Sequence, residues 1–203
     1  MAANVIRAAT QAKQHTMRTL LLASKSPRRR QLLAELGFPI QYVDVDVDEV
    51  VDPAWPVPQI PEQLAILKAS AYPIAQLEDD QVLVTADTIV ELDGRQMGKP
   101  KTAEHAVKML HELSDRRHTV YSGVCLATRH ARRTFTERSD VYFKPLTDEM
   151  IAYYVEHYSP LDKAGAYGIQ DWIGMVGVSR IDGCFYNVMG LPLARLYDEL
   201  MQL

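Results

Sequence analysis

The stretch TLLLASKSPRRRQLLAELG, residues 19–37, reads as three successive local instructions. Thr19 to Ala23 is a short apolar run, the pattern of a buried strand. Ser24-Lys25-Ser26 breaks it with polar residues. Ser26 suits a helix N-cap, Pro27 the first helical position and Gly37 the C-terminal stop. The order strand, short polar loop, helix is the opening unit of an α/β domain. It also leaves unpaired N–H groups and the positive end of a helix dipole beside two serines and the arginines Arg28, Arg29 and Arg30. Guanidinium groups grip phosphate oxygens in pairs, so this junction is a candidate phosphate site. The plain alternative is three arginines that solvate the first turns of the helix.

Downstream of this unit the pattern keeps alternating between strands and helices. Valines alternate with Asp44, Asp46 and Asp48 from Ile40 to Asp48, the period-two signature of a half-exposed strand. Pro53, Pro56, Pro58 and Pro61 mark a loop, and a helix carrying Glu62, Leu64, Ala65 and Lys68 follows. Val82-Leu83-Val84 begins a buried strand that runs through TADTIVEL to Asp93-Gly94, a strong hairpin signal. Thr102 caps a helix with Ala106, Leu110 and Leu113 on one stripe. HTVYSGVCLAT and TFTERSDVYF read as two strands joined by the basic run Arg129–Arg133. Thr147 caps a helix to about Glu156, glycine-rich turns and short strands are expected over 165–188, and Leu193–Leu200 is a terminal helix. Hairpins mixed with helices predict an α/β fold with a mixed sheet. The folded part is expected to be one domain over 17–203, with residues 1–16 a poorly ordered extension.

Composition excludes more than it assigns. The chain has 203 residues, 47% of them hydrophobic, which is enough to bury a sizeable core and too apolar for a disordered polymer. Lys+Arg 22 against Asp+Glu 26 gives a net charge of −4, so no broad positive surface points to nucleic acid; an anionic ligand needs a local cluster of cations. Cys125 and Cys184 are far apart in the chain and form no CxxC pair, consistent with two reduced, buried thiols in a cytoplasmic protein. No apolar run is long enough for a membrane span or a signal peptide. No histidine pair has ligand spacing, and the P-loop, dinucleotide-binding, nucleophile-elbow and Nudix-like patterns are all missing.

Two further features carry chemistry. In Thr85-Ala86-Asp87-Thr88 an apolar strand runs into a carboxylate, which is costly without a partner such as a divalent metal or a water awaiting deprotonation. A turn or cap aspartate is the alternative. Asp48 and Glu49 could add a second carboxylate if the strands converge. Lys68, Lys99 and Lys163 stand beside small or turn-forming residues and are candidates to neutralise phosphate charge, although spacing alone does not bring them together.

Taken together, ASKSPRRRQLL, ADTIVELDGRQMGKP, LSDRRHTVYSGV, LDKAGAYGIQ and NVMGLPL resemble the Maf family of nucleoside triphosphate pyrophosphatases, over about Met17 to Leu203. The resemblance implies a twisted mixed sheet with flanking helices, two lobes around a deep cleft as in Maf/ITPase-like proteins, and commonly a homodimer. It implies hydrolysis of a nucleoside triphosphate to monophosphate and pyrophosphate with Mg²⁺ or Mn²⁺, and no nucleic-acid or membrane partner. By matched position Asp87 is the general base, and Ser24, Arg28, Glu49, Lys68, Lys99 and Gln170 are further active-site positions; Ser24, Arg28, Arg29, Lys68, Lys99 and Lys163 are expected to serve the phosphates. Glu49 and Asp87 hold metal, while Arg28, Thr88 and Gln170 stand where base preference is set. KAGAYGIQ with Thr88 looks like the dTTP/UTP branch, with CTP or modified pyrimidine nucleotides as further substrates. A non-catalytic nucleotide-binding regulator of cell division, using the Arg28 cluster without Asp87, is the alternative. The pattern departs at Ser122, at Asp171-Trp172 where glycine is usual, and at Cys184, which bears on substrate preference and loop shape.

Overall fold

In a computed structural model that describes residues 18–203, a seven-stranded mixed sheet has strand order β2-β1-β3-β5-β6-β7, with β4 paired to β3. The strands are β1 (Thr19–Leu22), β2 (Ile40–Tyr42), β3 (Gln81–Leu92), β4 (Arg95–Met97), β5 (Arg117–Ala127), β6 (Arg132–Phe143) and β7 (Val178–Asp182). The helices are α1 (Pro27–Ala34), α2 (Ile60–Ser70), α3 (Ala103–Leu113), α4 (Asp148–Tyr158), α5 (Trp172–Gly177), α6 (Phe185–Met189) and α7 (Leu193–Met201). β1 runs parallel to both β2 and β3, and the remaining ladders are antiparallel. No described helix is long and apolar enough to cross a membrane.

Local signals explain most of these boundaries. Ser26 Oγ accepts from Arg29 N at the start of α1, and Thr102 and Thr147 cap α3 and α4 in the same way. Asp93 and Gly94 both take positive φ and turn β3 into β4, as a two-residue hairpin of this type requires. α2 lies so close to the sheet that a Cβ on Gly123 of β5 would stand 2.1 Å from Glu62 N. Only glycine admits that approach.

The structure corrects three expectations. The strand expected over Ile40–Asp48 ends at Tyr42, because its ladder partner β1 ends at Leu22; Val43 and Val45 still pack inward, so the alternation records one-sided burial rather than pairing. Over 165–188, the short helices α5 and α6 stand where short strands were expected, and β7 is the single strand there. Cys125 is buried, but Cys184 is only partly so. The extension assigned to residues 1–16 lies outside the described residues.

β3 organises the functional end of the molecule. Its first half, with Val82 and Val84, packs in an apolar cluster with Leu20, Leu22, Leu33, Leu126 and Leu196. Its second half, with Val90 and Leu92, packs in another with Leu110, Leu113, Ile151, Tyr154 and Ile173. β1 pairs with β3 only as far as Val84, and β4 pairs with the same edge only from Val90. Between those limits that edge of β3 has no strand beside it among the described residues, and a cleft opens there.

Candidate active site

The cleft encloses about 440 Å³ and brings together Ser24, Arg28, Arg29, Glu49, Lys68, Asp87, Thr88, Lys99, Lys163 and Gln170. All ten positions to which the family resemblance gives a role therefore line one cavity, whereas Arg30 and Asp48, also singled out in the sequence, do not. Its charged lining comprises the cations Lys25, Arg28, Arg29, Lys68, Lys99 and Lys163 and the acids Asp44, Asp46, Glu49, Asp87 and Asp162. The two signs are almost balanced, so the acids must hold cations in place or await a cationic ligand.

Asp87 and Thr88, consecutive on β3, point to opposite faces of the sheet. On the first face, Thr85 Oγ1 donates to Ala65 O at 2.6 Å and Lys68 Nζ donates to Asp87 Oδ1 at 2.7 Å. Ala65 and Lys68 are one turn apart on α2, which is why this face of β3 meets them both. Lys68 Nζ also pairs with Glu49 Oε1 at 3.2 Å, so one largely buried ammonium bridges two carboxylates. On the other face Thr88 Oγ1 lies 2.8 Å from Ser122 Oγ, its register partner on β5.

Arg29 serves a different purpose from its neighbours. Its Nε donates to Gly190 O, its Nη1 to Ala86 O and its Nη2 to Thr88 Oγ1, each at 2.9 Å. The guanidinium thus supplies a donor to β3 where no strand runs alongside it. Gly190 adopts φ +119, a conformation glycine reaches at little cost. Burial draws the Arg29 pKa below its ordinary value, and the nearby Asp87 opposes the shift. Three of its five N–H donors are engaged within the protein, and sequence spacing gave no sign of this, since the partners lie 57 to 161 positions away.

The opposite wall is a chain of ion pairs. Arg28 Nη1 meets Asp162 Oδ2 at 2.6 Å, Lys163 Nζ meets Asp162 Oδ1 at 2.8 Å, and Lys163 Nζ lies 3.7 Å from Asp171 Oδ2. Asp162 and Asp171 were not among the predicted residues. The signal for Asp162 was its place before Lys163, and for Asp171 its place after Gln170. Gln170 Nε2 donates to Asp171 Oδ1 at 3.2 Å, while Gln170 Oε1 is buried without a partner among the described residues.

As a metal site the cleft is sparse. Among the described residues no three His, Cys, Asp or Glu side chains converge as ligands. Asp87 and Glu49 each direct one oxygen to Lys68, and no second partner engages either carboxylate among the described residues. Two carboxylates suit Mg²⁺ or Mn²⁺, which commonly take one or two from the protein and complete their shell with water and substrate phosphate.

An α/β sheet that opens, where one strand loses its neighbours, into a cleft of cations and paired carboxylates has the charged groups to hold an anionic ligand. The chain belongs to the Maf-like protein family, whose pattern matches residues 19–203. It is 49% identical to a dTTP/UTP pyrophosphatase of Bacteroides thetaiotaomicron over 187 residues, covering 91% of this chain and 95% of that protein. It is 48% identical to the dTTP/UTP pyrophosphatase of Parabacteroides distasonis, covering 89% and 94%. Among solved structures it is similar to the Ham1 protein of Staphylococcus aureus, with a TM-score of 0.43, 18% identity, and coverage of 62% of this chain and 71% of that one.

Proposed function

We propose that this chain is a nucleoside triphosphate pyrophosphatase that hydrolyses dTTP and UTP, with CTP or modified pyrimidine nucleotides as lesser substrates, to the monophosphate and pyrophosphate. The observation that carries this reading is the Lys68 bridge between Asp87 and Glu49 at the foot of a cleft rich in cations. A protein that only bound nucleotide would need the cations but not a carboxylate held in this way, and nothing in the site favours the regulator of cell division over the enzyme.

In this reading Asp87 orients the attacking water and takes its proton, while Lys68 holds that carboxylate in place. Arg28, Lys99 and Lys163, with the Ser24 hydroxyl, hold the phosphates and stabilise charge on the departing pyrophosphate. Arg29 holds the Ala86 carbonyl and Thr88 in place beneath them. Glu49 and Asp87 would hold a divalent cation, Mg²⁺ or Mn²⁺, which when bound neutralises phosphate charge. Thr88 and Gln170 face the base. We further propose a cytoplasmic homodimer that removes unwanted nucleotides from the pool.

Incubation of the purified protein with UTP or dTTP and Mg²⁺ or Mn²⁺ should yield monophosphate and pyrophosphate in equal amounts. Release of orthophosphate and a nucleoside diphosphate would reject the reading.

A further inference from the structure

Asp171 follows Gln170 directly. It caps the start of α5 by position, yet its side chain makes no capping hydrogen bond. The carboxylate, largely buried, is turned instead toward the cleft wall. Oδ2 accepts from Tyr154 Oη at 2.7 Å and faces Lys163 Nζ at 3.7 Å. Tyr154 is itself anchored, because its Oη accepts from Gly168 N at 3.0 Å. Oδ1 remains, and it takes Gln170 Nε2 at 3.2 Å.

A carboxylate accepts and never donates when ionised, so only the Nε2 end of the Gln170 amide can face Asp171. The pocket is tight as well. A Cβ at Gly168 would stand 2.5 Å from Asp171 Oδ2 and 2.8 Å from Gln170 Nε2, so both groups press against that backbone. Gln170 Oε1 is thereby left as an acceptor without a partner among the described residues. A buried orphan acceptor is costly, and a ligand N–H relieves the cost.

We propose that Asp171 is a specificity-determining positioning residue. It holds the Gln170 amide with its carbonyl end free, so that the cleft selects bases with an N–H at the edge they present. Uracil and thymine carry such a group at the ring nitrogen flanked by two carbonyls; cytosine has a bare acceptor at that atom and meets Oε1 with repulsion. Oε1 lies closed within the cleft wall, so the base reaches it by a small displacement of that wall. The proposal rests on the reading above in which Gln170 faces the base.

The test measures kcat and KM for UTP and CTP in the wild type, Asp171→Ala, Asp171→Asn and Gln170→Ala. The wild type should favour UTP. Asp171→Ala frees the amide to turn, and the UTP:CTP ratio of kcat/KM should fall about tenfold, within the range one base-edge hydrogen bond discriminates. The loss should fall on KM for UTP more than on kcat, a split that general loosening of the fold would not give. Asp171→Asn keeps an acceptor for Tyr154 but can offer an N–H to Gln170; the amide then reverses and the ratio should fall at least as far. If Asp171→Ala does not fold, the asparagine variant decides alone. An unchanged ratio in the Asp171 variants, with a lowered one in Gln170→Ala, would overturn the positioning role and leave the base-site reading intact. An unchanged ratio in Gln170→Ala, or no preference for UTP in the wild type, would overturn both.

Discussion

The two walls of the cleft hold similar charged groups by different means. The wall built from α2 and β3 is set by backbone packing. Gly123 lets α2 lie against the sheet, Thr85 ties to Ala65 O, and Lys68 arrives beside Asp87 already neutralising it. The wall that carries Asp162, Lys163 and Asp171 is set by side-chain ion pairs, some of them open to water, running from Arg28 to Tyr154. A wall fixed by packing keeps its geometry whatever binds, as reacting atoms require. The ion pairs of Asp162, which is 57% exposed, give weak net stabilisation, so an entering anion can exchange with that carboxylate at little cost. The first is suited to chemistry and the second to recognition and release.

The largest effect should come from breaking the first wall. Asp87→Asn removes the carboxylate while keeping its shape, and kcat should fall by about 10²–10⁴-fold, the usual contribution of a general base. Lys68 keeps Glu49 as a partner. The melting temperature should therefore move by less than about 4 °C, equivalent to roughly 1 kcal/mol in a protein of this size. A retained rate would remove Asp87 from the role of base.

Next comes the side chain that stands in for a strand on the open edge of β3. Arg29→Ala leaves the carbonyl of Ala86 without this donor, at about 1–3 kcal/mol for a group left unpaired, and leaves Gly190 O only the longer bond from Thr88 Oγ1 at 3.3 Å. Stability should fall by roughly 2 kcal/mol in denaturant unfolding. The same substitution one position earlier should cost little stability. Equal losses at Arg28 and Arg29 would refute the division of labour between them.

That division shows what the sequence carried and what it did not. β1, the polar loop and α1 were legible because Ser26, Pro27 and Gly37 act on their immediate neighbours. β3 and its hairpin were legible because burial and positive φ at Asp93-Gly94 are local requirements. The cleft was legible as a set of residues through family resemblance, and Asp87 through the oddity of a carboxylate in an apolar strand. Which arginine pairs with Asp162 across the cleft and which replaces a missing strand was not legible. It depends on β1 and β4 stopping short along the same edge of β3, a matter of ladder register. The overlong strand at Ile40–Asp48 failed for a related reason, since alternation reports which side is buried but not whether a partner strand is present.

A smaller effect tests what lies beneath the second wall. His118 is buried, stacks on Phe143, and its Nε2 lies 2.7 Å from the hydroxyl of Tyr167, which lines the cleft. Burial pulls its pKa down to about 3, with Asp140 opposing the shift. The folded protein therefore keeps it neutral while the unfolded chain protonates it below about pH 6.5, so stability is lost as pH falls from about 6.5 toward 3. Between pH 7.5 and 4.5 this one group should account for about 3 kcal/mol of the loss. His118→Phe should start less stable at pH 7.5, with the Tyr167 hydroxyl left without this partner, yet lose correspondingly less on acidification. Parallel pH profiles for the two proteins would show that His118 is not the group responsible.

The smallest effect belongs to the second wall itself. Arg28 contributes one ion pair to Asp162, whose side chain is 57% exposed, so Arg28→Ala should lower stability by less than about 1 kcal/mol. Burial pushes the Asp162 carboxyl up, but hydrogen bonds from Lys163 and Arg28 outweigh it and hold the group down at about 2. Asp162 is thus an anion at every pH at which the enzyme would be assayed, and it occupies the two cations that a phosphate would need. In the proposed reading, removing Arg28 deletes a phosphate donor and also releases Asp162 onto Lys163. KM for UTP should rise about tenfold, the worth of one charge-assisted hydrogen bond, with kcat nearly unchanged. A fall in kcat with KM unaltered would instead place Arg28 with Asp87 and Lys68 among the groups that act in the transition state, and the two walls would not divide chemistry from recognition.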